Sequence, residues 1–281
     1  MKAFVVDVST CNGCYNCQLA CKDEHVGNDW TPYAKPQPDT GQFWLKVNEF
    51  IRGTVPKVRM HYVPLLCMHC DSAPCMEACT VEGALYKRDD GLVIIDPVKC
   101  TGCRNCVDSC PYGVIFFNEE LNLAQKCTGC AHLLDGKGGK ETPETPRCVD
   151  ACPTEAIRFG EESEFKNLMA RAEVMEPGLH ASPRVYYLGI PKKFVAGTVY
   201  DPVEEEVVVG AACVLTDASG GTKFHAVTDG FGDFWFEDLG TSTYSLEIAA
   251  EGFRHKTISS INTGQDVNLG DIPVTKQARK N

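Results

Sequence analysis

The chain has 281 residues, which is room for about two domains of ordinary size. Its formal net charge of −11 excludes a nucleic-acid partner, because no surplus of cations is available to neutralise phosphates. Composition changes along the chain: of the 17 cysteines only Cys213 comes after residue 153, and the last hundred residues are rich in Val, Thr, Gly and Asp. A cysteine-dense part therefore precedes a cysteine-poor one.

No stretch approaches the roughly 18 apolar residues of a membrane span. The N-terminus is typical of a strand, and it shows neither a secretory apolar region nor a twin-arginine motif. We therefore expect no direct membrane span and a cytoplasmic location, with export only if a partner supplies the targeting sequence.

The cysteines form four groups of four. The third group has the spacing C-x₂-C-x₂-C-x₃-C-P, in which three cysteines ligate one iron–sulfur cluster and the fourth ligates a different cluster. The first group repeats this spacing, the second lengthens the middle gap to four residues, and a 17-residue loop divides the fourth. In chain order the groups are Cys11, Cys14, Cys17 and Cys21; Cys67, Cys70, Cys75 and Cys79; Cys100, Cys103, Cys106 and Cys110; and Cys127, Cys130, Cys148 and Cys152. Four groups of four predict four clusters.

Short elements link these groups. A strand over 3–8 precedes the first group, and an insertion over 22–66, rich in aromatic residues and proline, follows it as a lid, an interface or a small local core. Hairpins over 83–96, turning at Asp90-Gly91, and over 114–125 lead into groups three and four. A strand over 156–159, an amphipathic helix over 164–175 and an extended segment over 183–188 follow, and 138–146 is expected to be an exposed loop. The repetition of cysteine group, short helix and strand indicates tandem bacterial-ferredoxin-like modules with insertions.

From residue 193 the chain changes to seven short β runs separated by turns, over 195–200, 207–216, 223–228, 232–236, 244–249, 256–261 and 266–272. They predict a small antiparallel β-sandwich, so the fold class is α+β: a cluster domain over 1–190, a sandwich over 193–275 and a tail over 276–281. The pattern resembles the transthyretin-like domain found beside carboxypeptidases, and we interpret it as an accessory or docking module without a catalytic site. Cys213 alternates with apolar neighbours and is expected to be a buried core thiol.

Disulfides and zinc are the alternatives to clusters. Disulfide scaffolds are typical of short secreted chains with less regular spacings. Zinc sites use two pairs of cysteines, whereas groups one and three present three in tandem with an outlying fourth, and Pro111 and Pro153 follow groups three and four. Four thiolates on a cluster leave no open iron for a substrate, so the pattern predicts electron transfer without bond-making chemistry. Because cysteines fill the four sites, we interpret His61, His69 and His132 as hydrogen-bonding neighbours.

Residues 1 to about 190 resemble the iron–sulfur subunit of the dimethyl sulfoxide reductase family of molybdopterin oxidoreductases. The motifs are Cys67-Met-His-Cys70 with Ala-Pro-Cys75, Asp89 to Asp96, Cys100 to Pro111 with Tyr112-Gly113, Gln125-Lys-Cys127-Thr-Gly-Cys130, Arg147-Cys148 to Ile157, and Pro183 to Leu188. Spacing alone leaves the pairing of groups open, and the resemblance implies that they nest. The implied ligands of four [4Fe–4S] clusters are Cys11, Cys14, Cys17 and Cys152 (cluster one); Cys127, Cys130, Cys148 and Cys21 (cluster two); Cys67, Cys70, Cys75 and Cys110 (cluster three); and Cys100, Cys103, Cys106 and Cys79 (cluster four).

The resemblance also implies partners. A large catalytic subunit would hold molybdenum or tungsten in a bis-pyranopterin cofactor, and this chain would pass electrons between it and an external donor or acceptor. Within the family, the sandwich and the phrase Ala131-His-Leu-Leu-Asp135 are most similar to the small subunits of pyrogallol–phloroglucinol transhydroxylase and of related hydroxyarene hydroxylases and dehydroxylases. The transhydroxylase pattern lacks the group-three cysteines that this chain keeps. Transhydroxylation needs no net electron flow. The presence of all the group-three cysteines therefore favours a hydroxylase or dehydroxylase that exchanges electrons with an outside partner.

Two other functions remain open from the sequence. A free-standing polyferredoxin would serve several enzymes, although the 22–66 insertion and the sandwich would then be superfluous. A structural adaptor would use its metal sites only to hold the fold.

Overall fold

The computed structural model describes residues 1–136 and 145–277. The predicted loop over 138–146 and the tail over 276–281 therefore lie largely outside the described residues. The chain divides into two compact units, the first formed by Met1–Phe50 with His61–Ile190 and the second by Ile51–Met60 with Pro191–Asn281. None of the helices within the described residues is long and apolar enough to cross a membrane.

The elements before residue 190 are short. The strands are β1 Lys2–Asp7, β2 Leu45–Thr54, β3 Lys57–Leu66, β4 Leu85–Lys87, β5 Val93–Ile95, β6 Phe116–Asn118, β7 Leu123–Gln125, β8 Ile157–Glu161 and β9 Val185–Leu188. The α-helices are α1 Asn16–His25, α2 Pro74–Glu77, α3 Asn105–Asp108, α4 Ala131–Leu134, α5 Arg147–Asp150 and α6 Lys166–Met169. Cysteines of the four groups lie on α1, α2, α3 and α5, which agrees with the predicted repeat of cysteine group and short helix.

The first unit contains a three-stranded sheet with β1 at its centre. β1 pairs antiparallel with β8 and parallel with β9, and its residues from Ala3 to Val6 are buried because both faces are covered. The predicted strands over 3–8, 156–159 and 183–188 are thus confirmed and belong to one sheet. Cysteines from three of the groups are part of the same core as Phe4 and Leu66. The core therefore encloses the candidate ligands.

Both predicted hairpins are present. β4 pairs with β5, and Gly91, at φ 95°, lies in the turn between them, where the Gly91 N–H donates to the Arg88 carbonyl at 2.9 Å. β6 pairs with β7 and begins at Phe116, two residues later than the predicted run. Each hairpin leads directly to the first cysteine of the next group.

The predicted helix over 164–175 is wrong in length. A 3₁₀ turn over Glu162–Glu164 precedes α6, which ends at Met169, and Glu173 then pairs with Tyr187 as a β-bridge. None of the residues of α6 is buried. Because helices gain most of their stability from packing an apolar face, the apolar spacing in this segment does not extend the helix.

Aromatic residues of the 22–66 insertion pack in the main core of the first unit and not in a separate local core. Trp44 is buried within the main core, and Trp30 and Tyr33 pack against it. The Trp30 ring also stacks on His132, with ring centroids 4.3 Å apart. The rest of the insertion forms the β2–β3 hairpin, which the sequence did not predict.

The second unit is a β-sandwich. Its strands are β10 Lys193–Asp201, β11 Glu206–Val207, β12 Ala212–Asp217, β13 Lys223–Val227, β14 Asp233–Leu239, β15 Thr243–Ala249, β16 Lys256–Asn262 and β17 Val267–Pro273. One sheet contains β11, β10, β14 and β17, and the other has the order β13-β12-β15-β16. Val195 and Phe234 of the first sheet share a core with Leu215 and Leu246 of the second.

Two details of the predicted sandwich are corrected. The strand expected over 207–216 is divided into β11 and β12, because Gly210 adopts φ 77° between them. The sandwich is also not purely antiparallel, since β10 and β17 pair in parallel. Cys213 is confirmed as a core thiol: it is 1% exposed, and burial raises its pKa to about 12.

Residues 51–60, the tip of the β2–β3 hairpin, belong to the second unit. The Arg52 guanidinium binds both carboxylate oxygens of Asp266, at 2.9 and 2.5 Å, and the Lys57 ammonium pairs with Asp233. Lys57 is 4% exposed, so its charge depends on that partner. These charge pairs connect residues more than 170 positions apart in the sequence.

Candidate iron–sulfur centres

All four cysteine groups contain the same backbone turn. The second residue after the first cysteine has a positive φ in each: Gly13 (68°), His69 (46°), Gly102 (74°) and Gly129 (63°). Left-handed residues in such turns direct successive N–H groups to one point, and these concave sites bind anions, iron–sulfur clusters among them. The sequence repeat is therefore also a repeat of backbone conformation.

Gly102 shows why three of these positions are glycine. A Cβ on Gly102 would lie 2.5 Å from the carbonyl oxygen of Asn122, in the turn between β6 and β7. Only glycine combines the left-handed conformation with so close an approach of the backbone. The group-three loop is thereby fixed against the second hairpin.

His69 is the exception, since it places a side chain where the other groups have glycine. The Val93 N–H donates to His69 Nδ1 at 3.0 Å, so the neutral ring has its proton on Nε2. Burial and the nearby Lys126 ammonium hold the pKa of His69 well below its usual range. His69 Nε2 is buried without a hydrogen-bond partner among the described residues. The interpretation of His69 as a hydrogen-bonding residue beside the second cysteine group is confirmed by its bond with the Val93 N–H.

Cys11, Cys14, Cys17 and Cys152 lie close enough for their thiolates to repel one another, and we call these four cysteines set one. Burial raises the pKa of Cys17 to about 12, and repulsion from the other three thiolates adds to the shift. The Ala156 N–H donates to Cys152 Sγ at 3.2 Å. The first and fourth groups, far apart in the sequence, thus meet in one set.

Set two is formed by Cys21, Cys127, Cys130 and Cys148. Burial raises the pKa of Cys148 well above its ordinary value, and the thiolates of Cys130, Cys127 and Cys21 raise it further. All four residues are buried, and the Gly129 N–H donates to Cys127 Sγ at 3.4 Å. An N–H···S bond of this kind stabilises the thiolate form of the ligand.

The other eight cysteines of the four groups line two cavities, four cysteines in each. Set three, Cys67, Cys70, Cys75 and Cys110, lines the first cavity, and set four, Cys79, Cys100, Cys103 and Cys106, lines the second. Groups two and three therefore exchange their last cysteines.

The four sets follow one another in order. Cys17 of set one contributes to the raised pKa of Cys148 in set two, after burial and the closer thiolates of its own set. Cys67 of set three likewise contributes to the raised pKa of Cys127, after burial. Cys75 of set three does the same for Cys106 of set four, after burial and Cys100. Only Cys14 in set one and Cys103 in set four are exposed, so the two ends of this row each present one cysteine to solvent.

The residues present fit [4Fe–4S] clusters. Backbone N–H groups donate to cysteine sulfurs in sets one, two and three, as that of His69 does to Cys67 Sγ at 3.5 Å. The Tyr112 hydroxyl is buried without a partner among the described residues, and Tyr112 lines the set-three cavity. Within residues 1–136 and 145–277, no three His, Cys, Asp or Glu side chains converge on a site for a single metal ion. Each cysteine of a cubane binds a different iron, so its four ligands need no such convergence. When bound, the clusters supply one-electron transfer.

These turns, thiol sets and N–H···S bonds define an iron–sulfur protein of the bacterial-ferredoxin type. The family model of the 4Fe–4S dicluster domain matches residues 58–162, that of the 4Fe–4S binding domain matches residues 8–27, and that of the carboxypeptidase regulatory-like domain matches residues 195–275.

Individual relatives narrow the assignment. The chain is 38% identical to the pyrogallol hydroxytransferase small subunit of Pelobacter acidigallici over 274 residues, 95% of this chain and 97% of the relative. It is 33% identical to a tetrathionate reductase subunit of Salmonella typhimurium over 69% of this chain and 74% of the relative. It is 41% identical to the arsenate respiratory reductase iron–sulfur subunit of a Shewanella species over 41% of this chain and 44% of the relative. The chain belongs to the iron–sulfur electron-transfer subunits of the dimethyl sulfoxide reductase family of molybdopterin oxidoreductases, as the sequence motifs predicted.

Proposed function

We propose that this chain holds four [4Fe–4S] clusters, one in each cysteine set, and relays electrons between a catalytic subunit and an external redox partner. The catalytic subunit would hold molybdenum or tungsten in a pyranopterin cofactor. The observation that carries the proposal is the order of the four sets with one exposed cysteine at each end. A relay needs two places where electrons enter and leave, and Cys14 and Cys103 mark them.

The relative that covers nearly the whole chain suggests the substrate class. It is named a pyrogallol hydroxytransferase, and this supports a catalytic partner that acts on hydroxylated aromatic compounds. Moving a hydroxyl group between two aromatics needs no net electrons, whereas this chain retains all four cysteines of set four. Set four therefore faces the external donor or acceptor, and set one, at the other end of the row, faces the catalytic subunit.

Purification of the native complex under anaerobic conditions tests this proposal. We expect the 30.8 kDa chain to co-purify with a larger subunit that contains molybdenum or tungsten. The alternative, a polyferredoxin, predicts a monodisperse chain that retains its clusters without a partner, and that result would overturn the proposal.

A further inference from the structure

Lys126 is a lysine buried among the candidate clusters. It follows β7, directly before Cys127, and is 2% exposed. Its ammonium donates to the carbonyl oxygen of Cys127 at 3.0 Å and to that of Val93. These two carbonyls fix the charge inside the first unit, away from solvent.

The charge of Lys126 has no carboxylate to balance it. Among residues 1–136 and 145–277, the other buried cations, Lys57 and Arg184, pair with carboxylates, Arg184 with Asp71 at 2.7 Å. No carboxylate in the described part of the chain lies within ion-pair distance of Lys126. Because burial of an unpaired charge costs several kcal/mol, some other negative group must compensate it.

The two carbonyls that bind the Lys126 ammonium place it beside two different sets. Cys127 is itself a member of set two. Val93 lines the set-three cavity together with Cys75. The ammonium also opposes the rise that burial causes in the pKa of Cys75 and of Cys127. It therefore lies within electrostatic reach of ligands of both middle sets.

We propose that Lys126 is the counter-charge of the second and third clusters and raises the reduction potential of both. The proposal rests on the four-cluster function. A positive charge stabilises the reduced form of a cluster, which has one more negative charge than the oxidised form. Salt does not screen the interaction as it would at the surface, since the charge is buried.

Redox titration of the full chain with its clusters, monitored by electron paramagnetic resonance, tests the proposal. Lys126→Met removes the charge and keeps the length of the side chain. For two of the four centres, we expect the ratio of reduced to oxidised form at a fixed ambient potential to fall at least tenfold. For a one-electron couple this corresponds to a reduction potential 59 mV lower. Lys126→Arg keeps the charge and should shift the reduction potentials of these two centres by less.

Lys99→Met is the matched control. Lys99 directly precedes the ligand Cys100, as Lys126 precedes Cys127, but its side chain is 55% exposed. Water screens an exposed charge, so Lys99→Met should leave all four potentials close to those of the unaltered chain.

The outcomes separate this proposal from the function on which it rests. Unchanged potentials in Lys126→Met, with all clusters present and reducible, would overturn the role of Lys126 and leave the relay intact. If Lys126→Met fails to assemble its clusters, the iron content of Lys126→Arg decides: full content supports a requirement for charge, and loss of iron in both variants contradicts it. Absence of reducible centres in the unaltered chain would instead refute the relay.

Discussion

At the scale of single residues, His69 combines two tasks that are separate elsewhere in the chain. Its backbone adopts the left-handed conformation that glycine adopts in the other three groups, and its ring accepts a hydrogen bond from the Val93 N–H. The motif Cys67-Met-His-Cys70 indicated a hydrogen-bonding neighbour. It did not reveal the partner, because Val93 reaches the ring only through the β4–β5 hairpin, 24 positions along the chain.

His69→Leu should destabilise the first unit. The Val93 N–H would remain buried without an acceptor, at a cost of about 1–3 kcal/mol. Urea unfolding of the cluster-loaded chain, followed by the loss of visible cluster absorbance, measures the effect. His180→Leu is the control, because His180 has a similar φ of 51° but is exposed. Equal losses in the two variants would show that the hydrogen bond to Val93 contributes nothing.

At the scale of elements, local patterns were reliable where packing agreed with them. The two hairpins and the central sheet form as predicted, because turn residues and apolar runs coincide there. Within residues 164–175 no residue of α6 is buried, and only four residues form the predicted helix. The tip of the β2–β3 hairpin could not be foreseen at all. Its charge pairs to Asp233 and Asp266 depend on long-range folding.

The ion pair between Lys57 and Asp233 gives a prediction for this hairpin tip. The two side chains are 5% and 25% exposed. Lys57→Met should reduce the stability of the second unit by about 2 kcal/mol, because it leaves a partly buried carboxylate with only the Thr198 hydroxyl as its donor. Hydrogen exchange of the β10 and β14 amides measures the change. The double variant with Asp233→Asn should lose less than the sum of the single changes.

The same pair predicts a dependence on pH. Burial alone would raise the pKa of Asp233, but the Lys57 ammonium and the Thr198 hydroxyl hold this pKa below its ordinary 3.8. A lowered pKa means that the pair stabilises the fold above pH 3.8 and loses this contribution as the pH falls through the folded value.

Glu237→Gln is the control for Lys57→Met. It breaks the exposed pair between Glu237 and Arg59 and should cost less than about 1 kcal/mol. A loss as large as that of Lys57→Met would contradict the role of burial.

At the scale of the whole molecule, the family resemblance implied which cysteines would share a cluster, and this assignment stays a prediction. Spacing alone left the pairing open, since it specifies only that the fourth cysteine leaves its group. The folded chain adds the order of the sets and the exposure of Cys14 and Cys103. Neither property is encoded by spacing, because both depend on how α1, α5 and the two hairpins pack around the thiols.

Anaerobic coulometric reduction of the full chain carrying its clusters tests the central proposal most directly. Four cysteine-ligated cubanes predict about four electrons per chain, one for each cluster, with about sixteen irons and sixteen acid-labile sulfides. Uptake of about three electrons would leave one set without a working cluster. A colourless chain that binds zinc and takes up no electrons would contradict the relay altogether.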